Sequence, residues 1–344
     1  MSKANYPHLS PDVLAASLGK KFPPSPEQAQ VIDSPLGPKL VVAGAGAGKT
    51  ETMASRVVSL VANGLVRPEE ILGLTFTKKA ALQLENRIRR ALVQLRETGM
   101  FPPGSPVADA LETIAPKVAT YDSYAGDLVR EYGLLVPVEP GARIITDAER
   151  FALAHEVVTN YTGRLSSTSQ VGTVTEQLVK MVSAMDNVLA DPEDIRQHAK
   201  DFRAEVDDLP KGPRTKGEYS KKLQGYLDTQ QVRVDYLELV EALQQAQRDK
   251  AVVTFGEQMA VAAKLAAAHP TVGAAQRSRF RVVLLDEYQD TSHSQRVLLR
   301  ALFGGEPHPG LSVTAVGDPM QSIYGWRGAT AGTVSYTHLR AHET

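Results

Sequence analysis

The chain has 344 residues, enough for about two domains at roughly 150 residues each. Its 38 basic and 39 acidic residues give a formal net charge of -1, which excludes a polybasic coat for nucleic acid and leaves only a local surface for such binding. The sequence contains no cysteine, which excludes disulfides, thiolate metal sites and cysteine nucleophiles. No apolar run approaches the ~20 residues of a membrane-spanning helix. The N-terminus has no signal-peptide pattern, so we expect a cytoplasmic protein without a membrane partner.

Four short apolar runs rich in β-branched residues predict buried parallel strands, because they lack alternation and are separated by helical stretches. They cover residues 39–45, 70–77, 281–287 and 311–318. A weaker fifth run covers residues 117–123. After the first two runs, apolar residues recur at helical spacing with charges on the opposite face. The pattern therefore predicts an α/β fold with a parallel sheet.

The middle of the chain differs from its two ends. Between about residues 147 and 250 the sequence is rich in helical patterns and has no convincing buried strand. The simplest organisation is an α/β domain with a helical insertion. We place the first α/β segment at 1–135, the insertion at 136–250 and the second α/β segment at 251–332. Residues 333–344 lack a core-forming pattern and are expected to be a non-native tail.

A glycine-rich run follows the first predicted strand and opens a helix. It consists of Ala43, Gly44, Ala45, Gly46, Ala47, Gly48, Lys49 and Thr50. Glycines permit a tight loop whose N–H groups converge on phosphate, and the helix adds its positive N-terminal end. Lys49 would reach the β- and γ-phosphates, and Thr50 would bind Mg²⁺. The strict P-loop pattern has glycine where Ala43 stands, and a strand-to-helix turn without a ligand is the alternative.

Two adjacent acidic residues end the third strong strand run. Asp286 would hold Mg²⁺ through water, and Glu287 would orient and deprotonate an attacking water. The alternative is a pair of solvated acids. The four apolar residues directly before them argue against it, because they indicate a buried strand that fixes the direction of the two side chains. With the glycine-rich run, these residues predict a site for ATP and Mg²⁺.

Several segments resemble the motifs of one helicase family. VVLLDEYQDTSHSQ and VTAVGDPMQSIYGWRGA resemble motifs II and III of the UvrD/Rep branch of superfamily 1 DNA helicases. SPEQAQVI resembles its Q motif, AGAGAGKT its Walker A variant, LTFTKKAA its motif Ia and VATYDSYA its motif Ib. The resemblance spans residues 24–329 and is closest in character to actinobacterial UvrD-like proteins, including helicase–nuclease subunits. It implies a RecA-like P-loop NTPase lobe with a helical insertion, from an ATP-dependent 3′–5′ DNA helicase of repair or recombination.

The resemblance also implies roles for individual residues. Gln28 would read the adenine edge, and Gln321 would sense the γ-phosphate and act in catalysis with Lys49, Asp286 and Glu287. Single-stranded DNA would contact Thr75, Phe76, Thr77, Lys78, Tyr324, Trp326 and Arg327. Stacking of bases on aromatic side chains contributes about 1–3 kcal/mol per base. The alternatives are a helix-start role for Gln28 and core packing for Phe76 and Tyr324.

Two positions depart from the family pattern. Asp122 stands in motif Ib where most relatives carry histidine, which places a negative charge near the expected DNA path. Lys78 replaces the more common asparagine in motif Ia, a change that favours contact with phosphate. DNA contact at motif Ib is therefore less expected than contact at motif Ia.

The family's motor has two RecA-like lobes, and this chain ends after motif III. We therefore expect it to lack the second lobe and its arginines. Arginines of this kind account for about 10³–10⁵ in rate in phosphoryl transfer, so the 344 residues alone are expected to be nearly inactive. Three alternatives stay open: an incomplete ATP- and single-stranded-DNA-binding module, a helicase–nuclease subunit, and a small-molecule phosphotransferase. The expected partners are single-stranded DNA, single–double-strand junctions, and a nuclease or second helicase subunit.

Overall fold

The computed structural model describes residues 8–112, 116–136, 138–139, 141–166, 169–210, 219–305, 308, 310–323 and 325. The chain divides into two compact units, Met1–Leu128 with Ala263–Thr344 and Val129–Ala262. The insertion predicted at 136–250 lies inside the second unit. The tail predicted at 333–344 and the candidate residues Tyr324, Trp326 and Arg327 lie outside the described residues.

A parallel sheet of five strands lies at the centre of the first unit. In chain order the strands are β1 (Lys39–Val42), β2 (Ile71–Thr75), β3 (Lys117–Thr120), β4 (Arg143–Ile144), β5 (Val252–Val253), β6 (Val282–Leu285) and β7 (Ser312–Gly317). All except β4 and β5 form this sheet, in the spatial order β1-β7-β6-β2-β3. The predicted α/β class is confirmed, and each of the five predicted runs contains one of its strands.

Helices connect these strands and form most of the second unit. The first helices are α1 (Pro11–Ser17), α2 (Pro26–Asp33), α3 (Lys49–Ala62), α4 (Lys78–Glu97), α5 (Pro106–Glu112) and α6 (Tyr121–Tyr132). They are followed by α7 (Asp147–Asn160), α8 (Val171–Val188), α9 (Pro192–Asp207), α10 (Lys221–Asp235) and α11 (Leu237–Asp249). The last are α12 (Phe255–Ala268), α13 (Pro270–Arg279) and α14 (His293–Phe303). Of the helices that the structure describes, none combines the length and apolar character needed to cross a bilayer.

Helix α4 shows how the sequence pattern produces the core of the first unit. The Thr77 hydroxyl caps its start by accepting a hydrogen bond from the Ala80 N–H at 3.1 Å. Its buried residues recur every three or four positions and form one apolar stripe: Ala81, Leu84, Ile88, Leu92 and Leu95. Such a stripe is stable only when packed, and here it joins buried residues of α3, β2 and β6 in one cluster.

The second unit is a helical assembly with its own core, formed mainly by α7, α8 and α11. The described part of residues 147–250 contains no strand, as predicted. A two-residue parallel ladder of β4 and β5 lies just outside that range. The Arg143 N–H donates to the Ala251 carbonyl and the Ile145 N–H donates to the Val253 carbonyl, both at 2.9 Å. Segments this short have no periodicity for a sequence pattern to detect.

A fully buried arginine joins α3 to the end of α2. Nη1 of Arg56 donates to the Val31 carbonyl at 2.8 Å, the Ser34 carbonyl at 2.9 Å and the Ser34 hydroxyl at 2.7 Å, and Nη2 donates to the Pro35 carbonyl at 3.3 Å. The last carbonyls of a helix have no partner within it, and Arg56 supplies one. Burial lowers the pKa of Arg56 to about 10. The side chain therefore fixes the position of α2, which carries Gln28.

Replacing Arg56 by methionine keeps an apolar stem but removes these donors. We expect the free energy of unfolding to fall by about 2–4 kcal/mol, because buried carbonyls lose their hydrogen-bond partner. Urea unfolding followed by circular dichroism measures the change. Arg90→Met, at an exposed position on α4, is the control and should change stability by no more than about 0.5 kcal/mol. Equal effects from the two substitutions would contradict a structural role for Arg56.

Candidate functional site: the glycine-rich loop and its acidic neighbours

The glycine-rich loop joins β1 to α3, as predicted. Gly46 and Gly48 have φ values of 75° and 77°, in the left-handed region that side chains with a Cβ rarely adopt. Gly48 is the N-cap of α3, so Lys49 and Thr50 lie in the first turn of that helix. The loop follows the strand closely, since the Ala43 N–H extends the β1–β7 pairing to the Gly317 carbonyl at 3.2 Å. The backbone therefore has the form of a phosphate-binding loop.

Lys49 carries a buried positive charge without a hydrogen bond. Its side chain is 10% exposed, and among the residues that the structure describes Nζ has no hydrogen-bond partner. The nearest opposite charge is Oε2 of Glu287, at 3.7 Å. Burying an ammonium without hydrogen bonds is costly. The arrangement therefore favours an anion with oxygen acceptors at this point.

The two predicted carboxylates follow β6 and differ in environment. The Asp286 N–H donates to the Leu74 carbonyl at 2.9 Å, which continues the sheet pairing. Asp286 is 5% exposed, and burial together with the neighbouring charge of Glu287 raises its pKa to about 6. Glu287 is half-exposed and has a φ of 50°, a strained conformation of the kind that clusters at functional sites.

Gln289, which the sequence analysis did not select, ties this turn together. The side chain is buried in the 3₁₀ turn Tyr288–Asp290. Its Nε2 donates to Oε2 of Glu287 at 2.9 Å and to Oδ2 of Asp290 at 3.2 Å. Its Oε1 accepts the Asp318 N–H at 2.9 Å. The DEYQD turn is thus hydrogen-bonded to the start of motif III, a contact that no local sequence pattern reveals.

Gln321 lies in the 3₁₀ turn Pro319–Gln321, directly after β7. Its Nε2 donates to Oδ2 of Asp318, so in this structure the predicted phosphate sensor is held by a carboxylate. The same Oδ2 lies 3.9 Å from the position that a Cβ on Gly44 would occupy. The turn that carries Gln321 is therefore next to the glycine-rich loop.

Gln28 contacts the glycine-rich loop from α2. Its Oε1 accepts the Ser25 N–H at 3.0 Å, completing a capping box, and its Nε2 donates to the Ala47 carbonyl at 3.0 Å. The helix-start alternative is therefore what the structure shows. One N–H of the amide and one lone pair are not used by these bonds, so the adenine contact stays a prediction.

Thr50 and Asp286 are the residues that would hold Mg²⁺. Among the described residues, no cluster of three histidine or acidic side chains is suited to a metal ion. Mg²⁺ usually keeps several waters and is bound by one or two carboxylates together with substrate phosphates. A helix-start hydroxyl and one buried carboxylate beside an ammonium that has no hydrogen bond among the described residues fit this mode of binding, in which a nucleotide would supply the remaining oxygens.

The motif Ia residues occupy the end of β2 and the start of α4. Thr75 is buried, and its hydroxyl donates to the Thr77 carbonyl at 3.2 Å. Thr77 caps α4. Phe76 is half-buried and packs edge-on against Tyr121, with ring centroids 5.3 Å apart. Lys78 is exposed. Core packing, the alternative role for Phe76, thus accounts for the buried part of its side chain. Lys78 is accessible to a ligand.

A glycine-rich loop opening a helix, next to paired carboxylates at the ends of a parallel sheet, defines a RecA-like P-loop NTPase lobe. The model of the UvrD/REP helicase N-terminal domain matches residues 24–339. The chain therefore belongs to the UvrD/REP helicase family.

Curated relatives that are named as ATP-dependent DNA helicases are similar to this chain over most of its length. The chain is 27% identical over 316 residues to the ATP-dependent DNA helicase UvrD1 of Mycobacterium leprae, covering 90% of this chain and 35% of the relative. It is 30% identical over 310 residues to UvrD1 of Mycobacterium tuberculosis, covering 89% and 34%. It is 25% identical over 303 residues to the ATP-dependent DNA helicase PcrA of Staphylococcus aureus, covering 88% and 34%. The chain spans about a third of the length of these relatives.

Gly317 provides a test of the contact between the DEYQD turn and motif III. A Cβ there would lie 2.7 Å from Oε1 of Gln289, so Gly317→Ala should force the two turns apart. We expect a loss of about 1–3 kcal/mol in unfolding free energy from this overpacking, measured by urea unfolding. Gly44→Ala is the control, because its Cβ would meet its nearest neighbour at an ordinary 3.9 Å. If Gly317→Ala is as stable as the wild type, the described packing is incorrect.

Proposed function

We propose that this chain is the ATP-binding lobe, with its helical insertion, of a 3′–5′ DNA translocase or helicase acting in repair or recombination. The observation that carries the proposal is the buried ammonium of Lys49 at the start of α3, which lies 3.7 Å from Glu287 and has no hydrogen bond among the described residues. A nucleotide phosphate would supply the acceptors that this ammonium lacks. The relatives' names, ATP-dependent DNA helicases, support ATP as the nucleotide and DNA as the other ligand.

The side chains around Lys49 divide the work of ATP hydrolysis. The loop N–H groups and Lys49 would bind the β- and γ-phosphates, while Thr50 and Asp286 would hold Mg²⁺, which neutralises charge developing on the phosphate oxygens. Glu287 would orient the attacking water and accept its proton. Gln289 and Lys49 both approach Oε2 of Glu287. Among the described residues Oε1 forms no hydrogen bond, which leaves it available to water.

Single-stranded DNA would run across motif Ia. Lys78 offers an exposed cation at the start of α4, and the half-buried ring of Phe76 lies two residues before it. Tyr324, Trp326 and Arg327 are proposed to extend this surface with stacking partners and a cation, in keeping with recognition of strands without sequence preference. Junctions between single and double strands, and a nuclease or second helicase subunit, are the further partners that we propose.

Hydrolysis by the 344 residues alone should be slow. Lys49 lies near the carboxylates of Asp286 and Glu287, and the family resemblance implies that arginines of a second lobe supply further positive charge. Such arginines account for about 10³–10⁵ in rate in related phosphoryl transfers. We therefore expect this chain to bind nucleotide measurably even though its turnover is weak. Binding of nucleotide and DNA with no turnover under any condition would instead favour the incomplete-module alternative.

Replacing Lys49 tests the nucleotide site directly. Lys49→Met should weaken binding of a fluorescent ATP analogue with Mg²⁺ by about 10- to 100-fold, because hydrogen bonds to a charged group contribute about 1.5–3 kcal/mol. Fluorescence anisotropy at equilibrium measures the affinity. Lys264→Met, at an exposed position on α12, should leave it unchanged. Binding that survives Lys49→Met, or that is absent from the wild type, would count against the proposed function.

The DNA surface is tested through salt dependence. The single tryptophan, Trp326, should be quenched by oligo-dT and less by a blunt duplex of the same length. Lys78→Ala should reduce the slope of log affinity against log salt concentration by about 0.7, the value for one phosphate contact on a single strand. Arg300→Ala, which removes an exposed cation from α14, should leave the slope intact. Equal slopes in all three proteins would exclude Lys78 from the DNA path.

A further inference from the structure

We propose that Gln289 is a positioning residue of the ATP site: its one amide orients Glu287 and links the nucleotide site to the turn that carries Gln321. The proposal rests on the proposed function, since it assigns a task within the same site. It concerns a residue that acts through its neighbours, since its side chain is buried and hydrogen-bonds to Glu287 and Asp290 and to the backbone of Asp318.

The contacts of Gln289 use both ends of its amide. Nε2 donates to Oε2 of Glu287 at 2.9 Å and to Oδ2 of Asp290 at 3.2 Å. Oε1 accepts the Asp318 N–H at 2.9 Å. A side chain that donates on one side and accepts on the other is needed here, and an amide provides both functions without charge. A carboxylate at this position would repel Glu287, and an apolar side chain would remove a hydrogen-bond donor from each of two acidic groups and the acceptor from the Asp318 N–H.

Packing fixes this amide in one place. Gln289 is 1% exposed, and it touches the backbone of motif III so closely that a Cβ on Gly317 would lie 2.7 Å from Oε1. Two further hydrogen bonds join the same segments: the Ser322 hydroxyl donates to the Gln289 carbonyl at 3.4 Å, and the Ile323 N–H donates to Oδ1 of Asp290 at 3.1 Å. The DEYQD turn and the start of motif III therefore form one hydrogen-bonded block.

This block joins the parts of the site that must respond to phosphate. At one end, Oε2 of Glu287 receives Nε2 of Gln289 and lies 3.7 Å from Nζ of Lys49. At the other, Asp318 holds the side chain of Gln321. A phosphate that draws Lys49 away from Glu287 changes the charge balance at one end of the chain of hydrogen bonds. Gln289 is the side chain through which that change reaches Asp318 and Gln321.

Two substitutions test the two ends of the amide. Gln289→Glu keeps an acceptor for the Asp318 N–H but loses the donor to Glu287. Gln289→Met removes both at similar volume. Gln276→Met is the matched control. Gln276 lies on α13 and is also a buried glutamine of the first unit, and its Oε1 accepts a hydrogen bond from the Tyr124 hydroxyl at 2.9 Å.

A unique fluorescent label reports on the motif III turn. The chain has no cysteine, and Met320 is 93% exposed between Asp318 and Gln321, so Met320→Cys offers one site for an environment-sensitive dye. Each variant is made in this background. Three quantities are measured: the affinity for a slowly hydrolysed ATP analogue with Mg²⁺, the change of label fluorescence at saturation, and single-turnover phosphate release from ATP with protein in excess.

We expect Gln289→Met to bind the analogue within about threefold of the parent, lose the label response and release phosphate about 10- to 100-fold more slowly, as misplaced catalytic groups do. Gln289→Glu keeps the bond to the Asp318 N–H but breaks the link to Glu287, so it should also lose the label response and a similar factor in rate. Gln276→Met should match the parent in all three. Loss of affinity in proportion to rate would indicate a structural defect and overturn the positioning role.

Other outcomes are equally decisive. A Gln289→Met protein that keeps both the label response and the rate overturns the proposal, and so does a parent protein that binds the analogue without any label response. If circular dichroism shows that Gln289→Met does not fold, Gln289→Glu becomes the test. An unchanged rate of phosphate release in that variant overturns the proposal. A folded parent that binds no nucleotide refutes the proposed function instead, which keeps the two failures distinct.

Discussion

The buried charge of Lys49, which has no hydrogen bond among the described residues, is the constraint around which the first unit is arranged. An ammonium can stay buried only when acceptors surround it, yet the described residues give Nζ no hydrogen bond and place the nearest carboxylate at 3.7 Å. The parallel sheet brings this about, because β1, β6 and β7 are neighbours and their carboxyl ends lie at one edge. The glycine-rich loop, Asp286 and the turn carrying Gln321 follow those three strands. The sheet order thus produces the site.

Several locally unfavourable features occur together at this edge. Glu287 has a positive φ, burial and a neighbouring charge raise the pKa of Asp286 to about 6, and Lys49 lacks a hydrogen-bond partner among the described residues. Each lowers stability on its own, and proteins tend to tolerate such features where function requires them. Two buried residues offset this loss of stability. Gln289 hydrogen-bonds to Glu287, and Arg56 holds the helix that contacts the loop. The strained residues are therefore supported by well-packed neighbours.

The sequence predicted what depends on short-range patterns. Buried strands appear as continuous apolar runs, and the loop is marked by glycines that the structure places at positive φ. Arg56 and Gln289 escaped notice because their partners come from tertiary packing: an arginine on α3 resembles any charged helix residue until the end of α2 is beside it. Gln28 shows the opposite case, since its capping box is visible in the sequence but its bond to the Ala47 carbonyl is not. The roles of the site residues toward nucleotide and DNA stay predictions.

The charges at the site support our proposal that one lobe holds a nucleotide better than it hydrolyses it. Asp286 and Glu287 lie close to one lysine, and a bound triphosphate would add further negative charge to the same edge. Mg²⁺ and Lys49 can balance the ground state, in which much of that charge remains solvated. Catalysis instead requires preorganised positive groups where charge develops in the transition state. Apart from Lys49, the described contacts of these carboxylates and of those of Asp290 and Asp318 are with neutral amides and backbone N–H donors, which orient charge without neutralising it. We propose that cations supplied from outside this lobe complement this surface.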